Sequence, residues 1–317
     1  MYIRFDSVLR TFLIDLFIGK ERQRVSMTID TNMLDILFPT NCCMDKACLQ
    51  NYGIYFFNQS SSCIVDEVNQ VRNQCYNYNC HTIEYSDRVE KRDAEYHYGI
   101  LKRATVYDYV NLENQANYNT FYPLEIIIDV QTLNEPYIPP TLGLAPSNVF
   151  KKKEFTIDIK KNNIDFSLQS GWKHQLLNIP DLLFSYSAYL ITKQGDIKTI
   201  FDSGMDYIEL PSDLYQQIKK YIVSNSNIGI NSPLFKNEII EVRRNERLIG
   251  PPLTFSFKTT NGEKWSVTLD ITEYVYNVYN DRYEMLIKES MDDKVHMGNI
   301  IMRKQKIGFK NGSIFIY

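Results

Sequence analysis

"VSMTIDTNMLDILFP", residues 25–39, sets an aspartate and a hydroxyl, Asp30-Thr31, between a β-type run and an apolar run that ends in Pro39. "TIFDSGMDYIELP", residues 199–211, repeats the arrangement with Asp202-Ser203-Gly204. A carboxylate wedged between two strand-like apolar runs is driven toward burial, and a buried charge is costly unless it is bonded or used. Two such stretches in one chain predict two related halves.

The chain has 317 residues, enough for two domains of roughly 150 residues each. With 44% apolar residues its composition is that of a globular protein. The 23 tyrosines and frequent asparagines suit strands and turns better than helices. A net charge of −3 offers no electrostatic case for nucleic acid. No run approaches the ~20 apolar residues of a membrane-spanning helix, so no membrane span is expected. "RTFLIDLFIGK", residues 10–20, is short and carries Asp15, and reads as a strand. The opening "MYIRFDSVLRTFL" has no signal-peptide pattern.

The cysteines point to an oxidising compartment. All six, Cys42, Cys43, Cys48, Cys63, Cys75 and Cys80, lie within 39 residues, as in a disulfide-stapled region of a secreted or lumenal endomembrane or vacuolar protein. A zinc site needs closer Cys pairs or His ligands. Only His81 is near, so no metal is expected. N-x-S tripeptides at Asn58 and Asn311 agree with a secretory route.

Period-2 alternation dominates the chain. It predicts strands over 12–18, 24–30, 81–85, 98–107, 124–130, 154–159, 164–168, 186–192, 197–202, 252–258 and 264–270. One helix is predicted over 212–223, capped by Ser212, with Leu214, Ile218, Tyr221 and Ile222 on one face. Each half also carries a later glycine between apolar residues: Gly143 in "TLGLAP" and Gly298 in "VHMGNIIMR". The lysines at 151–153 mark a plausible boundary. The expectation is a mostly β protein of two similar lobes, residues 1–150 and 151–317.

At this point the sequence resembles the pepsin-like aspartic endopeptidases. "IGKERQRVSMTIDTNMLDILFP" follows the family's "IGTPxQxFxVxxDTGSSxLWVP" pattern without a gap, with Ile18-Gly19, Gln23, Asp30-Thr31 and Pro39 in register. "CMDKAC" at 43–48 stands where the family often has a short disulfide loop, and "FNQSSS" at 57–62 is similar to its "FxPxxSST" stretch. "IEYSD" at 83–87 looks like the start of the flap hairpin, with Tyr85 in the flap tyrosine's place. "LGLAP" and "MGNIIMRKQKIGF" resemble the glycine segments behind each catalytic loop. The cysteines ahead of the flap bring the chain nearer the nepenthesin-type branch.

The resemblance implies a bilobal fold with a cleft in which Asp30 and Asp202 share one proton. One carboxylate would activate a water and the other would polarise the peptide carbonyl of a polypeptide substrate, without cofactor or metal. Thr31 and Ser203 would tie the two loops together, Asn32 and Gly204 would complete them, and Tyr85 would close over the substrate. Cys43 would pair with Cys48, leaving the pairing of Cys42, Cys63, Cys75 and Cys80 open. Monomer is the family's usual state.

Three departures stand out. Asn32 replaces a glycine, and Met33 and Met205 replace hydroxyl residues that support the carboxylates. A lost donor to a charged group weakens support by roughly 1.5–3 kcal/mol, which predicts an activity optimum displaced toward neutral or little activity. Leu37 replaces the tryptophan that buttresses the flap tyrosine. These residues favour the alternative, a catalytically inactive pepsin-like protein that binds peptides or proteins. The two retained aspartates favour the enzyme.

Overall fold

The computed structural model describes residues 1–6, 11–40, 54–67, 72–79, 82, 86–96, 99–112, 121–132, 138–145, 154–177, 180–186, 189–190, 197–242, 248–279, 282–311 and 313–317. These residues are mostly β. The chain divides into two compact units, Met1–Lys152 and Lys153–Tyr317.

The first unit contains β1 (Arg4–Asp6), β2 (Thr11–Ile18), β3 (Gln23–Asp30), β4 (Ile36–Pro39), β5 (Ile64–Asp66), β6 (Arg72–Gln74), β7 (Lys91–Tyr96), β8 (Gly99–Leu112), β9 (Phe121–Val130) and β10 (Thr141–Gly143). They form one sheet in the order β1-β2-β3-β10-β4-β9-β8-β5-β6, with β7 paired to β8. β2 is buried along nearly its whole length because it pairs with β1, β3 and β8 at once. That is why "TFLIDLFI" is almost continuously apolar and not cleanly alternating.

The second unit contains β11 (Glu154–Asp158), β12 (Asn163–Asp165), β13 (His174–Leu177), β14 (Asp181–Tyr186), β15 (Tyr189–Leu190), β16 (Ile197–Phe201), β17 (Ile208–Leu210), β18 (Ile240–Glu241), β19 (Leu253–Lys258) and β20 (Lys264–Leu269). It continues through β21 (Val275–Tyr279), β22 (Arg282–Met285), β23 (Ile287–Glu289), β24 (Val295–Met297), β25 (Ile307–Lys310) and β26 (Ser313–Ile316). The largest sheet runs β20-β19-β14-β16-β24-β17-β23, and a second runs β12-β11-β25-β26-β13. In β20, "KWSVTL", burial alternates residue by residue as the pleat requires.

The long helix, α1, spans Ser212–Asn225 and buries Leu214, Tyr215, Ile218 and Ile222 along one stripe. One sequence expectation is corrected here. Pro211, not Ser212, is the N-cap; Ser212 is the first helical residue, and its hydroxyl bonds the Glu289 carboxylate. Leu214, Ile218 and Ile222 of the predicted face are buried and Tyr221 is half-buried; Tyr215 is buried beside them, with its hydroxyl donating to the Phe235 carbonyl at 2.7 Å.

Candidate functional site

Asp30 ends β3 and is 2% exposed. Its Oδ1 accepts the backbone N–H of Asn32 at 2.8 Å and of Met33 at 2.9 Å. The loop thus folds around its own carboxylate and satisfies a charge that is cut off from water. β10 lies beside β3 in parallel, with Gly143 opposite Asp30, and beside β4 antiparallel. The connection from β3 to β4 therefore passes over a strand that the chain supplies more than a hundred residues later. Three bonds pin this connection: Gly143 N–H to the Asp35 carbonyl at 2.9 Å, Leu144 N–H to that of Asp30 at 2.7 Å, and Ala145 N–H to that of Met33 at 3.0 Å.

The second unit repeats the construction. Asp202 directly follows β16 and is 5% exposed. Its Oδ1 accepts the Gly204 N–H at 2.8 Å. β24 lies parallel to β16 and antiparallel to β17, between the two. The Gly298 N–H donates to the Tyr207 carbonyl at 3.1 Å and the Asn299 N–H to that of Met205 at 2.7 Å. Thr31 and Ser203, the hydroxyls next to each aspartate, are buried.

The glycines are explained by the same geometry. A Cβ on Gly143 would collide with the carbonyl oxygens of Met33 and Asp35, and one on Gly298 with those of Met205 and Tyr207. Neither glycine is needed for a left-handed backbone. Each is needed because a strand passes directly under a loop.

Met33 and Met205 are both buried at 7% exposure. Met33 belongs to an apolar cluster with Leu37, Leu101, Ile127 and Ile138, and Val130 packs against it. Where the resemblance puts a supporting hydroxyl, the first loop is held by packing instead. Asn32 is exposed.

Tyr85 lies outside the described residues, as do Cys42, Cys43, Cys48 and Cys80. The antiparallel hairpin in this region is β7–β8, which closes between Tyr96 and Gly99. Residues 91–95 are therefore strand. Cys63 and Cys75 are joined by a disulfide.

Sequence reading missed two polar clusters. Asp108, on β8, is fully buried and accepts hydrogen bonds from the Tyr55, Ser60 and Ser62 hydroxyls, each at 2.6 Å, and from the Tyr109 N–H at 2.8 Å. Burial, followed by the Asp108 charge, pushes the Tyr55 hydroxyl well above its ordinary pKa. Two of the serines in "FNQSSS" are thus ligands of one carboxylate. Gly19, at φ +73°, packs against this cluster with no room for a Cβ. The second cluster, Arg103 with Asp35 and Glu125, lies beside the Asp30 loop. The seryl run was a visible signal for the first; a lone arginine in an alternating strand was none for the second.

Among the described residues no group of three or more His, Cys, Asp or Glu is disposed to hold a metal. None of their helices is long and apolar enough to cross a membrane. No protein-family model matches the chain, and neither does any curated protein.

Proposed function

We propose that the protein is an aspartic endopeptidase of pepsin-like, bilobal design whose catalytic pair is Asp30 and Asp202. The observation that carries this reading is the duplicated loop: in each unit a buried aspartate and a buried hydroxyl residue arch over an inserted strand, with a glycine at the crossing. A structural turn aspartate needs no such scaffold, and two copies of it in one chain need a shared purpose.

In this reading the two carboxylates act on one water and hold one proton between them, because neighbouring like charges cannot both ionise easily. The ionised member removes a proton from the water as its oxygen attacks the carbonyl carbon of the scissile peptide. The protonated member donates to the carbonyl oxygen, and a tetrahedral diol results. Proton transfer to the amide nitrogen then breaks the C–N bond, leaving a new carboxyl end and a new amino end. The chemistry is complete with water and carboxyl groups alone. A secreted or lumenal site of action follows from the same reading and is supported by the Cys63–Cys75 disulfide.

The test is cleavage of a mixed fluorogenic peptide library from about pH 3 to 7, the range around a carboxylate pair's titration. Pepstatin and the variants Asp30→Asn and Asp202→Asn serve as controls. Cleavage that disappears in all three supports the reading. Well-folded protein that binds peptides or pepstatin but cleaves none makes the buried methionines the deciding feature and leaves a peptide-binding protein.

A further inference from the structure

We infer that Arg103 and Asp35 form a positioning pair that couples the β7–β8 hairpin to the loop carrying Asp30; the catalytic part of this inference rests on the proposed hydrolase reading. Arg103, on β8, donates from Nη1 to Asp35 Oδ2 at 2.6 Å and lies 3.4 Å from Glu125 Oε2 on β9. All three side chains are at least three-quarters buried. Burying an ion pair costs about as much desolvation as it returns in attraction, so net stability is a poor reason for this one. What it supplies is geometry.

Asp35 is well placed to transmit it. Its carbonyl accepts the Gly143 N–H, so holding Asp35 holds the far end of the arch around the Asp30 carboxylate. A second contact reinforces the first. Leu101 is two residues before Arg103 on β8, and Met33 is two residues before Asp35; Leu101 and Met33 share one buried cluster. Spacing by two keeps Leu101 and Arg103 on the same face of the strand. One face of the hairpin thus meets the loop at an apolar contact and an ionic one.

The hairpin depends on the loop in return. Arg103 pairs across the ladder with Arg92 of β7, and like charges directly opposite weaken a sheet. Arg92 is compensated by Glu90 at 3.1 Å on the exposed side, and Arg103 by Asp35 and Glu125. Neutralising Asp35 leaves two guanidinium groups abreast with weaker compensation. Coupling of this kind acts equally in both directions.

The experiment is amide hydrogen exchange on the whole purified chain, for wild type, Arg103→Gln, Asp35→Asn, the double variant and Arg103→Lys. The loop segment 30–40 exchanges about tenfold faster in Arg103→Gln, and the hairpin segment 91–104 does so in Asp35→Asn. The double variant is no worse than the more affected single one, and Arg103→Lys recovers part of the protection. Loop exchange within about twofold of wild type, or effects that multiply in the double variant, overturns the coupling. If Arg103→Gln does not fold, Arg103→Lys and Asp35→Asn make the same comparison. In the active enzyme, Arg103→Lys lowers kcat about tenfold and leaves KM nearly unchanged; a change in KM alone overturns the positioning role. Wild type that neither cleaves peptides nor binds pepstatin defeats the hydrolase reading, while the exchange data still decide the coupling.

Discussion

Gly143 and Gly298 hold the same post in their two units: each donates its N–H to the carbonyl of the fifth residue after a buried aspartate, Asp35 after Asp30 and Tyr207 after Asp202. The two loops between aspartate and acceptor share no residue type after the hydroxyl except the methionines Met33 and Met205. What is duplicated is a backbone path, and the glycine is its requirement.

Replacing either glycine with alanine sets a Cβ against two backbone carbonyls that cannot both move. Gly143→Ala and Gly298→Ala are each expected to lose about 3 kcal/mol or more of stability. Gly229→Ala, where nothing lies within 4 Å of the added carbon, is the control and should change little. Chemical denaturation of the three variants checks this; glycine variants at the crossings that match the control would remove the steric account.

Asp292 lies on the turn leading into β24, the strand inserted beside Asp202. Desolvation, the largest single influence, pushes its carboxyl up, but the Lys294 amide, the Ser290 hydroxyl and His296 outweigh it and bring the pKa down to about 2. A depressed carboxyl contributes stability above its unfolded value and loses it as pH falls through the folded one. Asp292→Asn should therefore lower Tm at pH 5–6, a modest effect at so exposed a site, with the gap closing toward about pH 2. A gap that stays constant with pH would mean that the carboxylate charge is not what matters.

Glu125 behaves in the opposite sense. Burial raises its pKa, with Asp35 adding to the rise and Arg103, Thr105 and Arg92 opposing it. A raised carboxyl is most favourable to folding below its unfolded pKa, and that advantage is lost as pH rises through the folded value. Glu125→Gln should match wild type in acid and gain relative stability toward neutral pH. Thermal melts from about pH 3 to 7, spanning the carboxylate range, test it; a variant less stable at neutral pH would show that the Arg103 attraction outweighs desolvation.

The disulfide between Cys63 and Cys75 closes a sequence separation of 12 residues. Constraint of the unfolded chain by a loop of that size is worth about 3 kcal/mol. Cys63→Ala with Cys75→Ala should lower stability by about that amount. Denaturation of the double variant beside the oxidised wild type checks this; a variant as stable as wild type would rule the staple out as a stabilising element.

The strands that alternate over many residues were legible from sequence. The run 24–30 falls in β3, 124–130 in β9 and 264–270 over β20. In β20 solvent lies on one face and core on the other, whereas β3 and β9 are buried continuously over 25–30 and 124–128, so there the alternation of residue types marks a strand without marking a solvent face. Four short strands around the aspartate loops were not. β4, β10, β17 and β24 are only three or four residues long, too short for a period to declare itself. Capping was misread at Ser212 because propensity favours serine, whereas the Pro211 before it takes the extended backbone that an N-cap needs.

The amino-acid sequence by itself determined a mostly β chain, one long amphipathic helix, two aspartate–hydroxyl turns and the glycines that answer to them, since each is a local matter of period, propensity or spacing. Only the tertiary structure decided that β10 enters between β3 and β4, that β24 enters between β16 and β17, that Cys63 takes Cys75, and that Arg103 reaches Asp35. Gly143 pairs with Asp30 from 113 residues away, and Met297 with Phe201 from 96. Contacts that distant are selected by the burial and hydrogen bonding of the whole unit, and a strand of three residues has no pattern of its own with which to announce its place.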